Sequence, residues 1–288
     1  MTLYGIDVSS NQPAGICSMV DYDFAIVKAT GNPRGYSQWY VNPYYEQQVQ
    51  EAYDRCGCVG LYHFTYGGDA AEEADFFCDT VSAWVGSAML VIDYEGDGAL
   101  SRGREWLRAL IGRVRDNTGV NPVVYASSSV IEEQELEALC SEEDCSLWSA
   151  NYWRGYDTVY GYDTDGMRQD VPSSALWQFT SQGRLDGYDG YLDLDVFYGD
   201  AGTWGKYCRA NKEEEEEDML TEHQDKLLAT IYEQQVGTYD PTGRGIELND
   251  HDHIKWIGKY VNDIQAKLEE QDAKIDKILA KIKCGCAD

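Results

Sequence analysis

The sequence of residues 88–96 is Ala-Met-Leu-Val-Ile-Asp-Tyr-Glu-Gly, an apolar run that ends in two carboxylates. A short, continuously apolar run of this kind is typical of a β-strand that is covered on both faces. Because side chains alternate along a strand, we expect Asp93 and Glu95 on one face and Tyr94 on the other. The stretch therefore predicts a buried strand that delivers a pair of acids to one end of a sheet.

Seven further runs share this character, and amphipathic segments lie between many of them. The predicted strands are Leu3–Val8, Phe24–Ala29, Val59–Phe64, Ala88–Tyr94, Pro122–Ala126, Ser146–Ala150, Ala175–Phe179 and Leu192–Phe197, and the predicted helices cover residues 41–54, 69–84, 101–117 and 130–140. This alternation predicts an α/β fold, a closed parallel (β/α)8-like barrel. Residues 152–172 and 181–191 have loop composition, so we expect the barrel to be irregular. No Gly-rich phosphate motif follows the first strand, which disfavours an open doubly wound sheet.

A run of five glutamates within residues 209–218 separates two parts of different composition. Like charges repel one another and resist compaction, so this segment is predicted to be an acidic linker. It divides a barrel domain, residues 1–208, from a predicted helical region, residues 219–288.

Apolar residues between Ile254 and Ile282 step by alternating threes and fours, with Gln271 as the one polar exception. This is a heptad pattern, and isoleucine at both core positions favours more than two strands. We predict a homo-oligomeric coiled coil, with a trimer or tetramer ahead of a dimer. The alternative is a helix that packs on its own chain, because core helices also carry apolar stripes.

The 288 residues include 51 acidic and 23 basic side chains, a formal net charge of −28. Such a charge disfavours nucleic-acid binding and the binding of anionic membranes through clusters of basic residues. No apolar run approaches the roughly 20 residues that span a bilayer, so membrane insertion is not expected. The first residues lack the features of a secretory signal peptide, so we expect a cytoplasmic product whose nine cysteines are reduced. Two Cys-Gly-Cys pairs occur, Cys56/Cys58 and Cys284/Cys286. Neither has the spacing of a zinc site.

Acidic residues recur where predicted strands end. Asp7 ends the first strand, Asp93 and Glu95 end the fourth, and Asp193 and Asp195 lie in the last. Function in a parallel barrel lies at strand ends, and closure would bring the first strand beside the last. Clustered like charges keep at least one carboxyl protonated, as glycosidic bond cleavage requires. A metal site and a set of solvated loop acids are the alternatives.

Eight segments, in order along residues 1–208, resemble glycoside hydrolase family 25, the muramidases often called Chalaropsis-type lysozymes. They are Gly5-Ile-Asp-Val-Ser-Ser-Asn-Gln12, Ala25-Ile-Val-Lys-Ala-Thr30, Gly60-Leu-Tyr-His-Phe64, Leu90-Val-Ile-Asp-Tyr-Glu95, Pro122-Val-Val-Tyr-Ala-Ser127, Leu147-Trp-Ser-Ala-Asn-Tyr152, Leu176-Trp-Gln-Phe-Thr-Ser181 and Leu192-Asp-Leu-Asp-Val-Phe-Tyr-Gly199. The sequence departs from the family at Asp195, where the family often has Asn. We expect that departure to add a charge and to alter neighbouring pKa values.

The resemblance implies hydrolysis of the β-1,4 bond between N-acetylmuramic acid and N-acetylglucosamine in bacterial peptidoglycan, with no metal or other cofactor. Glu95 would be the general acid and then the base. Asp93 would position the 2-acetamido group of the substrate, which attacks the anomeric carbon in a retaining, substrate-assisted route related to known exceptions among glycosidases. Asp7 and Asp193 would be further catalytic acids.

Other residues of these segments are expected to bind substrate. Tyr62, Tyr125 and Tyr152 would line the cleft, and Trp177 would offer a stacking surface. Asp195 is also expected to bind substrate. His63 lies in an apolar strand and is expected to be a hydrogen-bonded packing residue.

The whole chain resembles a phage endolysin, held in the host cytoplasm until lysis and then acting on the cell wall. A prophage or bacterial autolysin is an alternative of the same chemistry. The alternatives of other kinds are a wall-binding or virion structural oligomer that does not cut glycan, and a chitinase-like hydrolase.

Overall fold

The computed structural model describes residues 2–31 and 39–209, and a single sheet organises them. Its ten strands are β1 (Leu3–Val8), β2 (Phe24–Gly31), β3 (Tyr40–Val41), β4 (Val59–Phe64), β5 (Met89–Asp93), β6 (Val123–Ser127), β7 (Ser146–Ala150), β8 (Val159–Tyr160), β9 (Leu176–Arg184) and β10 (Leu192–Phe197). The helices are α1 (Ile16–Met19), α2 (Tyr45–Cys56), α3 (Ala70–Val81), α4 (Asp97–Arg102), α5 (Arg104–Thr118), α6 (Ser128–Glu133), α7 (Leu136–Glu142) and α8 (Ala201–Cys208), with a 3-10 turn at Ser82–Trp84.

Eight of the strands close into a barrel. Their order is β1-β10-β9-β7-β6-β5-β4-β2, and β2 pairs with β1 to complete the circle. The short strands β3 and β8 extend β2 and β9 outside this circle. All eight predicted strands are therefore present, and the predicted barrel is confirmed.

The last strand does not run as predicted. β10 is antiparallel to both of its neighbours, β9 and β1, so the prediction of an all-parallel barrel is wrong there. Only residues 185–191 join β9 to β10, whereas a parallel connection needs a crossover of a dozen or more residues. As a consequence the beginning of β10, not its end, meets the carboxyl ends of the other barrel strands.

Two predicted helices are each divided in two. Between α4 and α5 lies Gly103, with a φ of 76°, and between α6 and α7 lies Glu135, with a φ of 54°. A residue with a positive φ cannot continue an α-helix, so one helix ends before each of these residues and a second begins after it.

Two layers of apolar side chains fill the domain. One lies between the barrel and the helices, and the other fills the barrel interior. Trp204 of α8 closes the interior at the end where the parallel strands begin, with its ring centroid 4.8 Å from that of Phe24 and 5.1 Å from that of Phe197. The opposite end of the barrel stays open.

The predicted linker beyond Arg209 and the predicted coiled coil Ile254–Ile282 lie outside the described residues. Within the described ranges, no helix is both long and apolar enough to cross a membrane. The seven cysteines of those ranges are free thiols, and they are Cys17, Cys56, Cys58, Cys78, Cys140, Cys145 and Cys208.

Candidate active site

A cavity of about 260 Å³ opens at the end of the barrel where the parallel strands finish. It is lined by Asp7, Val8, Ser9, Asn11, Lys28, Tyr62, Phe64, Asp93, Glu95, Tyr125, Trp148, Tyr152, Gln178 and Asp193. The lining thus includes four of the acids and the three tyrosines that the sequence placed at this end. Two predicted site residues, Trp177 and Asp195, are not part of it.

The strand pairings explain why the four acids meet. Asp7 of β1 lies opposite Asp193 of β10, and Asp93 is the last residue of β5, in register with Phe64 of β4. Glu95 follows two residues later, on the same side of the chain. Because β10 is antiparallel, Asp193 reaches this group from the beginning of its strand.

Burial and mutual repulsion both favour protonation of this acid cluster. Burial raises the pKa values of Asp7 and Asp93 well above their ordinary range, and the charges of Asp193 and Glu95 respectively raise them further. The pKa of Asp193 is raised to about 7, first by burial and then by the charge of Glu95. Glu95 is exposed to the cavity, yet the surrounding protein desolvates it enough to raise its pKa as well. Near neutral pH the cluster therefore retains protons.

Lys28 of β2 is the one basic residue that the described part of the chain contributes to the cavity lining. Its ammonium group lies 4.4 Å from the ring centroid of Phe64 and 5.6 Å from that of Tyr62. Its positive charge lowers the pKa values of Asp93 and Glu95, while burial lowers the pKa of Lys28 itself. Lys28 is a site residue that was not predicted from the sequence, although a lysine inside an apolar strand is a usable signal.

Gln178 of β9, also missed, fixes two of the tyrosines. Its Oε1 accepts hydrogen bonds from the hydroxyls of Tyr125, at 2.9 Å, and Tyr152, at 2.6 Å. Its Nε2 donates to Asp7 Oδ2 at 2.7 Å. A polar residue between Trp177 and Phe179 was the signal for it, and the three bonds hold the tyrosines and Asp7 as one unit.

Asp93 has an oxygen without a partner. Its Oδ1 is buried and accepts no hydrogen bond from the described residues. Thr65 holds the backbone of Asp93, because its Oγ1 and its N–H donate to the Asp93 carbonyl at 2.8 and 3.0 Å. A buried carboxylate oxygen normally accepts a hydrogen bond, so Asp93 has capacity for a donor that enters the cavity.

Trp177 and Asp195 lie elsewhere than expected. Alternation along β9 points Gln178 inwards and Trp177 outwards, where its Nε1 donates to the carbonyl of Asn151 at 3.1 Å and its ring packs on Phe179. A stacking role in the cavity does not fit this position, and Trp148 contributes the indole of the lining instead. Asp195 is fully buried beneath the cavity, out of reach of a substrate.

His63 has the packing environment that the sequence predicted. It is buried, with Nδ1 2.8 Å from Thr30 Oγ1 and Nε2 3.0 Å from Glu73 Oε2. Burial lowers its pKa, and it is not a lining residue. No group of three or more His, Cys, Asp or Glu within residues 2–31 and 39–209 is arranged to hold a metal ion.

Comparisons with known proteins identify a family, two relatives and a similar fold. Residues 6–188 match the sequence pattern of the family described as "Glycosyl hydrolases family 25". YegX of Escherichia coli K12, described as uncharacterized, is 30% identical over 213 residues, covering 69% of this chain and 70% of YegX. Lysozyme M1 of Streptomyces globisporus is 24% identical over 213 residues, 68% of each chain. The crystal structure of a Streptomyces coelicolor lysozyme has the same fold, with a TM-score of 0.54 and 22% identity over 72% of this chain and 96% of that one.

Removal of the Lys28 charge should raise the pKa values of Asp93 and Glu95. In Lys28→Met the attraction that favours their ionised forms is lost, so both acids should release their protons at higher pH than in the wild type. Carboxyl-carbon NMR titration of the two residues measures this shift. Lys206→Met, which removes an exposed lysine on α8 at the other end of the barrel, is the control and should leave both titrations unchanged. Identical titrations in Lys28→Met and the wild type would show that Lys28 does not act on these acids.

Proposed function

The chain belongs to glycosyl hydrolase family 25, and we propose that it is an N-acetylmuramidase, a lysozyme that cleaves the β-1,4 bond between N-acetylmuramic acid and N-acetylglucosamine in peptidoglycan. The observation that carries the proposal is the pairing of two acids of different environment at the cavity, Glu95 and Asp93. Its relative Lysozyme M1 supports the same substrate class.

Glu95 is suited to be the general acid. Its side chain is exposed to the cavity, and desolvation by the surrounding protein raises its pKa. The carboxyl group can therefore carry a proton to a bound substrate. Glycosidic cleavage needs such a proton on the leaving oxygen while positive charge develops at the anomeric carbon. Asp93 is more deeply buried, 6% exposed, and is less able to reach the scissile oxygen.

Asp93 is suited to orient the substrate's own nucleophile. Its free Oδ1 can accept the N–H of the 2-acetamido group, and this bond turns the amide carbonyl oxygen towards the anomeric carbon. That oxygen forms a bond to the carbon as the glycosidic bond breaks, and Glu95 gives its proton to the departing sugar. Water then opens the cyclic intermediate while Glu95 takes back a proton. Two displacements at one carbon retain its configuration.

The remaining lining residues would hold the sugar rings. Tyr62, Tyr125, Tyr152 and Trp148 present flat apolar faces together with polar groups, the combination that suits a sugar ring and its hydroxyls. Asp7 and Asp193 keep the local charge negative where the cationic transition state forms, and Asp7 also anchors the Gln178 amide that aligns two of the tyrosines.

Glu95→Gln should abolish most of the activity. General acid–base catalysis contributes roughly 10²- to 10⁴-fold, and the amide has no proton to give. Turbidity loss and reducing-end release from purified Gram-positive peptidoglycan measure the effect. Glu133→Gln, the same substitution at an exposed position of α6, is the matched control and should leave activity unchanged.

Two results would redirect the proposal. A wild-type protein that binds several wall types and releases no reducing ends is a wall-binding or virion structural oligomer, not a hydrolase. Faster cleavage of chitin oligosaccharides than of peptidoglycan would identify a chitinase-like enzyme with the same acid.

The substrate-assisted route makes the acetamido group indispensable. Chemically N-deacetylated peptidoglycan should resist cleavage, because the amine has no carbonyl oxygen to form the cyclic intermediate. Re-acetylation of the same material should restore the wild-type rate, measured by reducing-end release. Equal rates on the deacetylated and re-acetylated walls would mean that a protein carboxylate is the nucleophile.

We also propose that residues 254–282 form a coiled coil that joins several copies of the enzyme. Linked active sites bind a repetitive polymer more tightly without any new contact. Ile264→Lys with Ile275→Lys places charges on the predicted seam and should reduce the molar mass of the full chain to that of a monomer, as measured by light scattering. Asn262→Lys with Glu269→Lys lies off the seam and is the control. A wild-type chain that is already monomeric would refute the proposed coiled coil.

We place the activity in phage-induced lysis of the host. The support is the C-terminal segment Asp240-Pro-Thr-Gly-Arg-Gly245 with its following heptads, which resembles the tails of phage endolysins. A host culture that makes the protein should then lyse only after a second agent breaches the cell membrane. Lysis without such a breach would contradict this role.

A further inference from the structure

Beneath the cavity, Asp195 of β10 lies beside Asp7 of β1, because Asp7 is in register with Asp193 and side chains two residues apart on a strand share a face. Asp195 is fully buried, and its Oδ1 accepts a hydrogen bond from Trp148 Nε1 at 3.0 Å. Its carboxyl group also hydrogen-bonds the carboxyl group of Asp7. Its other oxygen, Oδ2, is buried and receives no N–H or O–H donor from the described residues.

Two carboxyl groups can share a hydrogen bond only if one of them holds a proton. Asp7 Oδ2 already accepts from the Gln178 amide, which favours an ionised Asp7, and Asp7 borders the open cavity. Asp195 lies deeper, and its buried Oδ2 accepts no hydrogen bond from the described residues. A proton on Asp195 lets its carboxyl group donate to Asp7, whereas ionising both would bury two adjacent negative charges.

We infer that Asp195 is a positioning residue, a permanently protonated acid whose hydroxyl donates to Asp7 and holds it, ionised, at the floor of the cavity. The inference rests on the proposed function only where activity is the readout. It names a role for a position at which the sequence departs from the family pattern, and it reverses the expectation that Asp195 adds a charge. The side chain instead acts as a neutral donor, as an asparagine would.

Two acids near Asp195 oppose its ionisation, and one hydrogen-bond donor, the Nε1–H of Trp148, favours it. Asp7 and Asp193 act on it through their negative charges, from β1 and from its own strand. Tyr152 and Tyr162 face it from the segments that follow β7 and β8. None of these groups is a cation, and burial is complete, so the pKa of Asp195 is raised well above its ordinary range.

Infrared spectroscopy of the full-length protein tests the protonation state directly. The difference spectrum between the wild type and Asp195→Asn should contain the carbonyl band of a protonated carboxylic acid. That band should persist to the upper end of the pH range in which the protein stays folded. A carboxylate band in its place near neutral pH would overturn the inference. This measurement needs no activity, so it decides the matter even if the proposed function fails.

Activity then tests the positioning role. Asp195→Asn keeps a neutral donor to Asp7 and an acceptor for Trp148, so its rate and pH profile on peptidoglycan should match those of the wild type. Asp195→Leu leaves Asp7 without that donor, and its rate should fall about 10- to 100-fold, as expected for a lost hydrogen bond to a charged group.

Two outcomes contradict this role. A pH profile of Asp195→Asn displaced to lower pH would mean that an ionised Asp195 had been repelling charge at the site. An Asp195→Leu protein as active as Asp195→Asn, with a comparable melting temperature, would mean that Asp7 needs no donor there. If the wild type itself cuts no peptidoglycan, the proposed function fails, and the infrared result on Asp195 still stands.

Discussion

The pairing of β1 with β10 is the contact on which the rest of this structure depends. It closes the barrel, and its register sets Asp7 directly opposite Asp193. The short connection between β9 and β10 forces β10 to run antiparallel, so the acids at its beginning reach the open end of the barrel. A slip of one residue would turn both acids of β10 away from the interior, because neighbouring side chains lie on opposite faces of the sheet.

This closure is costly because it gathers five carboxyl groups in and beneath one cavity. Proteins seldom bury acids without partners, and burial raises the pKa of each of these five carboxyl groups. A group whose pKa is raised in the folded state stabilises that state only at low pH, and the stabilisation is lost as the pH rises through the folded pKa. Near neutral pH the cluster therefore lowers the free energy of unfolding. The two apolar layers of the domain offset that cost, and so does the positive charge of Lys28 beside Asp93 and Glu95.

The sequence was sufficient for the barrel and for the acids at its mouth, since apolar runs and the residues that end them are local features. It was insufficient wherever the outcome depended on strand direction or on which face a side chain occupies. Trp177 and Gln178 are neighbours, yet the alternation of β9 places only Gln178 in the cavity. Lys28 could not be recognised from its own strand, because Asp93 and Glu95, whose pKa values it lowers, lie at the end of β5 and just after it. Asp195 was placed in the right strand, but its depth follows from the antiparallel direction of β10.

The carboxyl groups of the cluster have different roles according to their depth within the barrel. Asp195 lies at the bottom, sealed from water, where its proton cannot exchange with a substrate and serves only to hold Asp7. Asp193 lies higher, with a pKa of about 7, and can change its charge within the physiological range. Glu95 lies at the surface of the cavity, beside the cation of Lys28, where a proton can leave and return. One set of identical functional groups thus supplies a fixed donor, an adjustable charge and a mobile acid, because desolvation declines from the floor of the barrel to its mouth.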